Sequence, residues 1–120
     1  MAEKILQVNF KFAVSRQEYE QVVSGLAEAF AAVPGCSWKI WLINESQHEA
    51  GGIYLFDNDA AVDAMLNSDL IAGVLANPAL SDFSVKRFDV LASVSAVTRA
   101  PLHGAVTHPA GAPVRADVAH

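Results

Sequence analysis

Cysteine is nearly absent: Cys36 stands alone in 120 residues, so no internal disulfide can form and nothing points to an oxidising compartment. Beside Pro34-Gly35 at the start of an apolar stretch, with no histidine close in sequence, it reads as an inert, half-buried thiol. Basic residues are also few. Eight Lys and Arg against thirteen Asp and Glu leave a net charge of -5, which disfavours nucleic acid or an anionic membrane as the main partner. No apolar run approaches the ~20 residues of a membrane-spanning helix. Met1-Ala2-Glu3-Lys4 leads into polar alternation, not the continuous apolar run of a secretory leader, so a cytoplasmic protein is expected.

Several catalytic signatures are missing as well. His48-Glu49-Ala50-Gly51-Gly52 lacks the second histidine of a helical zinc motif, and its glycines would break the helix that motif needs. The other histidines, His103, His108 and His120, are too scattered to predict a metal site. Gly51-Gly52 precedes a strand-like run, not a helix, so no phosphate-cradling loop is present. No nucleophile elbow is found either.

What remains is 52% hydrophobic and 18% charged, the composition of one compact domain with a hint of an apolar subunit interface. Lys4 to Phe12 alternates, with Leu6, Val8, Phe10 and Phe12 opposite Gln7, Asn9 and Lys11, and predicts a strand with one apolar face. Ser15-Arg16-Gln17-Glu18 is a capping box, and Tyr19, Val22, Val23, Leu26, Phe30 and Val33 follow as one helical stripe that Pro34 ends. Trp38, Ile40 and Leu42 alternate with Lys39, Trp41 and Ile43; Ile53 to Phe56 is a second strand, and the polar stretch Asn44 to Ala50 joins the two as a hairpin. Gly51-Gly52 at the start of the return strand predicts a bulge or a close backbone approach. Asp57 or Asp59 is the expected cap of a short helix over Ala60 to Asn67, and Ser68 or Asp69 caps another before Asn77-Pro78. Ser81 to Leu91 returns to strand pattern, with Phe83, Val85, Arg87 and Asp89 on one face.

The order β-α-β-β-α-β predicts an α+β, ferredoxin-like subunit, residues 1–91, with an antiparallel sheet and helices on one side. Residues 92–120 form an Ala/Pro-rich extension, expected to be flexible or packed on a dimer. The uncovered sheet face calls for a second copy, so a homodimer closing into a dimeric α+β barrel is expected.

Trp-Lys-Ile-Trp at 38–41, His-Glu-Ala-Gly-Gly-Ile-Tyr-Leu-Phe at 48–56 and Lys-Arg-Phe-Asp-Val at 86–90 resemble the YdhR-type monooxygenase family, within the dimeric α+β barrel superfamily that includes antibiotic-biosynthesis monooxygenases. The likeness runs from about Leu6 to Val90 and is strongest from Pro34 to Phe56. It implies the same fold and an oxidation of polycyclic phenols by O₂ with no metal or flavin. On this view His48 with Glu49 is a base and its orienter, and Tyr54 and Arg87 complete the catalytic candidates. Lys39 or Arg87 would hold an oxyanion, Trp38 and Trp41 would form flat walls, and Asn9 would donate a hydrogen bond to substrate. Other readings stay open: core tryptophans, Lys39 and Arg87 in ion pairs, His48 capping or stacking at a turn. The fold equally serves isomerases, cyclases and dehydratases, or a non-catalytic small-molecule-binding dimer.

Overall fold

The computed structural model describes residues 2–102. The described residues fall into two compact units, divided between Phe88 and Asp89.

In the first unit, β1 (Lys4–Phe12), β2 (Cys36–Asn44), β3 (Glu49–Phe56) and β4 (Leu80–Asp89) make one sheet in the order β2-β3-β1-β4. β3 pairs antiparallel with both β1 and β2. This is the α+β ferredoxin-like fold with a four-stranded antiparallel sheet. Leu6, Val8, Phe10 and Phe12 of β1 are buried and join Tyr19, Phe30, Val62, Met65 and Ile71 from the helices in one core. The alternation of β1 therefore sets which face the helices cover, and Gln7, Asn9 and Lys11 fall on the other.

The capping box at Ser15 and Glu18 starts α1 (Arg16–Ser24), but the expected single helix is two. The Gly25 amide bonds the Val22 carbonyl at 3.2 Å and the Leu26 amide the Val23 carbonyl at 2.9 Å, three residues back instead of four. The spiral tightens and breaks where a glycine makes helix weakest, and α2 (Ala27–Ala31) follows as a separate helix. Asn58, not Asp57 or Asp59, caps α3 (Asp59–Leu66), its side chain accepting the Ala61 amide at 2.9 Å. Asp59 is thereby left free to pair with Arg87. Ser68 caps α4 (Asp69–Leu75) as expected.

The hairpin differs from expectation in two respects. β3 begins at Glu49, so the glycine pair lies inside the strand, and a single 3-10 turn over Glu45–Gln47 makes the connection. The ladder irregularity falls between Cys36 and Trp38. Close approach, the other expectation for the glycines, holds at both. A Cβ on Gly51 would overlap the Val8 carbonyl oxygen, and one on Gly52 would lie 2.7 Å from Lys39 Cε.

In the second unit α5 spans Ala92–Val97, and the Arg99 amide bonds the Ala96 carbonyl at 2.9 Å as the helix ends. The extension beyond 102 lies outside the described residues. Among those described, no helix is long and apolar enough to cross a membrane.

Gly51→Ala must push β1 off β3, because the blocking atom is backbone; a loss above about 3 kcal/mol is expected in denaturant unfolding. Gly73→Ala, inside α4 with nothing within 4 Å of the new methyl, is expected to gain about 0.5–1 kcal/mol in the same assay.

Candidate functional site

The register of the hairpin places Lys39 opposite Tyr54, and Tyr54 opposite Leu6, in one row across the helix-covered face. Above this row the sheet and helices leave a groove of about 760 Å³, within the range of about 300–1,000 Å³ typical of small-molecule sites. Val8, Phe10, Lys39, Trp41 and Tyr54 form its floor. Tyr19, Leu26 and Phe30 wall one side, and Leu70, Ile71 and Val74 of α4 the other. The lining is overwhelmingly apolar; Lys39 and Asp69 are its ionisable exceptions apart from the tyrosines.

Lys39 is the chemical centre of this groove. Its ammonium nitrogen lies 3.4 Å from the Trp41 ring centroid, 3.5 Å from that of Phe30 and 4.7 Å from that of Tyr54. Phe30 reaches this position from α2, its ring edge-on to Trp41 at 5.4 Å. Gly52, one pleat from Tyr54, has no side chain to obstruct the lysine stem. Burial pushes the Lys39 pKa down to about 7. The three ring faces favour the ammonium and offset part of this. Desolvation also raises Tyr54 and holds it as a neutral phenol, and takes Tyr19 up to about 12. Cys36 is half-buried, donates to the Trp38 carbonyl at 3.3 Å and has its thiol pKa raised by burial.

The remaining expected site residues lie elsewhere. Trp38 falls on the opposite sheet face by register and does not line this groove, but it borders a smaller cavity of about 200 Å³ that shares Phe30, Lys39 and Trp41 with the groove and adds Ala27, Cys36 and Ser37. Asn9 is on the face away from the helices, accepting a hydrogen bond from Gln7 at 2.9 Å. His48 sits at the hairpin tip in left-handed conformation, φ 51°, as the cap of the 3-10 turn. Its carbonyl accepts the Phe12 amide at 2.9 Å, and its ring tilts against Phe12 at 5.4 Å. Glu49 is half-buried opposite Lys11 at the strand start. Lys39 and the hairpin tip at Asn44 are five residues apart on β2, or about 17 Å, so His48 and Lys39 cannot serve one substrate atom. Arg87 is exposed and divides its guanidinium between Asp63 at 2.8 Å and Asp59 at 3.0 Å; Lys4 adds a third contact to Asp59 at 3.6 Å. The hydrogen bond to Asp63, then that to Asp59, raises the Arg87 pKa, and Arg87 lowers that of Asp59.

The groove thus unites Lys39, Trp41 and Tyr54 and leaves out His48, Glu49, Asn9, Trp38 and Arg87. Phe30 and the α4 side chains are the lining that sequence missed. Their apolar helical spacing is the same for a residue closing a core and one edging a groove.

The profile of the family described as "Putative mono-oxygenase ydhR" matches residues 5–101. A protein of unknown function from Nitrosomonas europaea superposes with TM-score 0.66 at 21% identity, over 78% of this chain and 93% of that one. SnoaB, a cofactor-independent oxygenase from Streptomyces nogalater, gives 0.62 at 21% identity over 75% and 94%. The heme-degrader MhuD from Mycobacterium tuberculosis, solved with two hemes in its active site, gives 0.58 at 22% identity over 72% and 95%. At such identities these likenesses show the fold alone. Comparison with curated proteins gives no match.

The lowered Lys39 pKa means that the unfolded chain binds more protons than the folded one between pH about 7 and 10.5. The cost of burying the ammonium is therefore full below pH 7 and relieved as pH rises. Lys39→Met is expected to melt above wild type at pH 6, with the gap closing by pH 10 in parallel thermal scans.

Proposed function

The chain belongs to the YdhR mono-oxygenase family, and we propose that it oxidises an aromatic phenol or enol with O₂, without metal, flavin or haem, in the groove over Lys39. The caged lysine carries this reading. The lining suits a flat apolar body, and the one amine in it suits an acidic hydroxyl at the edge of that body. With its pKa near 7, Lys39 is partly neutral at physiological pH and can accept the proton of a hydroxyl of similar acidity. The ammonium formed then faces the anion it has made, in a cavity where the attraction is stronger than in water. Tyr54, kept protonated by burial, is a neutral donor to the same oxygen. The electron-rich anion gives one electron to O₂; the organic radical and superoxide join at a ring carbon as a peroxide anion, which takes the proton back from the Lys39 ammonium to become the hydroperoxide. Loss of water leaves a quinone, so phenol and O₂ become quinone and water. The description of SnoaB as a cofactor-independent oxygenase on the same fold supports the absence of a cofactor in this scheme.

The working unit in this proposal is a homodimer. On the sheet face turned from the helices Ile40 is 52% and Phe88 45% exposed, a surface that a second copy would cover. Ile40→Lys combined with Phe88→Lys is expected to sediment as a monomer and wild type as a dimer; identical sedimentation of the two would remove the idea.

Oxygen uptake tests the chemistry. Purified, chelator-treated protein is expected to consume O₂ with hydroxyanthrones or hydroxynaphthoquinones, and Lys39→Met to lose about 100-fold of the rate. His48→Ala is expected to stay within about threefold, since its ring lies outside the groove. Conversion of substrate without O₂ uptake would instead show an isomerase, and binding without conversion a carrier.

A further inference from the structure

The amine in the groove has the setting for covalent chemistry as well as proton transfer. Among the described residues no carboxylate pairs with Lys39; Asp69 lines the groove from α4 without forming an ion pair with it. The other titratable groups around it, Cys36 on β2 and Tyr54 on β3 with Tyr19 on α1, are neutral thiol and phenols raised by burial. The nitrogen lies against the faces of Trp41 and Phe30, both lining the groove, so an aromatic guest would meet it alongside flat apolar surfaces.

We infer that Lys39 is a carbonyl-capturing residue, which takes an apolar aromatic aldehyde or ketone from the groove as an imine. The neutral nitrogen forms the C–N bond while the C=O π pair moves to oxygen, and a proton passes from nitrogen to that oxygen. The hydroxyl then leaves with a second proton as water, and the nitrogen pair closes C=N. Amine and carbonyl become imine and water, with no oxidant or reductant consumed. Burial supplies the neutral amine that the first step requires. The apolar walls limit the water that would reverse the last one. Tyr54, its ring centroid 4.7 Å from the nitrogen, is a neutral phenol beside it. This capture needs no O₂ and stands apart from the oxidation proposed above.

The full chain is incubated under nitrogen with 2-naphthaldehyde and sodium cyanoborohydride at pH 7.5, and alkylated lysines are located by peptide mass mapping. An ordinary lysine is neutral in about one molecule per thousand at that pH. Lys39 is therefore expected to be modified at least about tenfold faster than Lys4, Lys11 and Lys86 in the same sample. Lys39→Arg should leave only the slow background. Gly52→Ala, whose methyl would displace the Lys39 stem, should slow labelling at Lys39 and leave Lys86 unchanged. Modification of Lys39 no faster than Lys86 in wild type overturns the inference, whatever the variants do. Labelling without O₂ uptake would leave the capture standing and remove the oxidation; uptake with no preference for Lys39 would do the reverse.

Discussion

Two adjacent glycines with no room for a side chain hold both the sheet and the site. At Gly51 the neighbouring β1 backbone comes so near that a Cβ has no space, which lets β1 and β3 keep their ladder in the middle of the sheet. At Gly52 the space belongs to Lys39, whose stem crosses the floor of the groove where any other residue would project. One glycine thus secures the strand pairing that carries Tyr54, and the next admits the amine that faces it. The two effects differ in cost. Backbone cannot move without breaking hydrogen bonds, whereas the end of a lysine can swing away.

The position of Lys39 is a contest between solvation and ring faces. Taking an ammonium out of water costs several kcal/mol, even after relaxation. Cation–π contacts return about 0.5–2 kcal/mol each at most, and less when ring positions overlap. Desolvation is the larger effect, so the amine is driven towards its neutral form even inside an aromatic cage. A lysine in this condition is both a base and a nucleophile, and a guest in the groove decides which property is used. Arg87 shows the contrasting arrangement: an exposed cation held by two carboxylates from α3, with its charge reinforced. Exchanging the two environments would remove the chemistry from the groove.

The fold was largely legible in the residues. Period-two alternation in β1 and β2, the capping box at Ser15 and the stop at Pro34-Gly35 are local signals read by local rules, and the fold they imply is the one observed. The errors were also local in origin. The stripe from Tyr19 to Val33 satisfies one long helix as well as two short ones, and only the Gly25 turn separates them. Asp57, Asn58 and Asp59 are all capping types; Asn58 takes the cap, and Asp59 pairs with Arg87 and Lys4 across the fold.

The candidate site divides in the same manner. The sequence by itself determined that Lys39 and Trp41 share one face of a strand, that Trp38 lies on the other, and that glycines follow the hairpin where something comes close. Those are consequences of a two-residue period, which needs no partner to be read. Tertiary structure alone decided that Phe30 arrives from α2 to complete the cage and that α4 walls the groove. It also placed His48 at the hairpin tip and Arg87 among carboxylates outside the groove. These outcomes depend on helix angles, on register and on which side chains lose water, and such quantities arise only when distant segments share a volume.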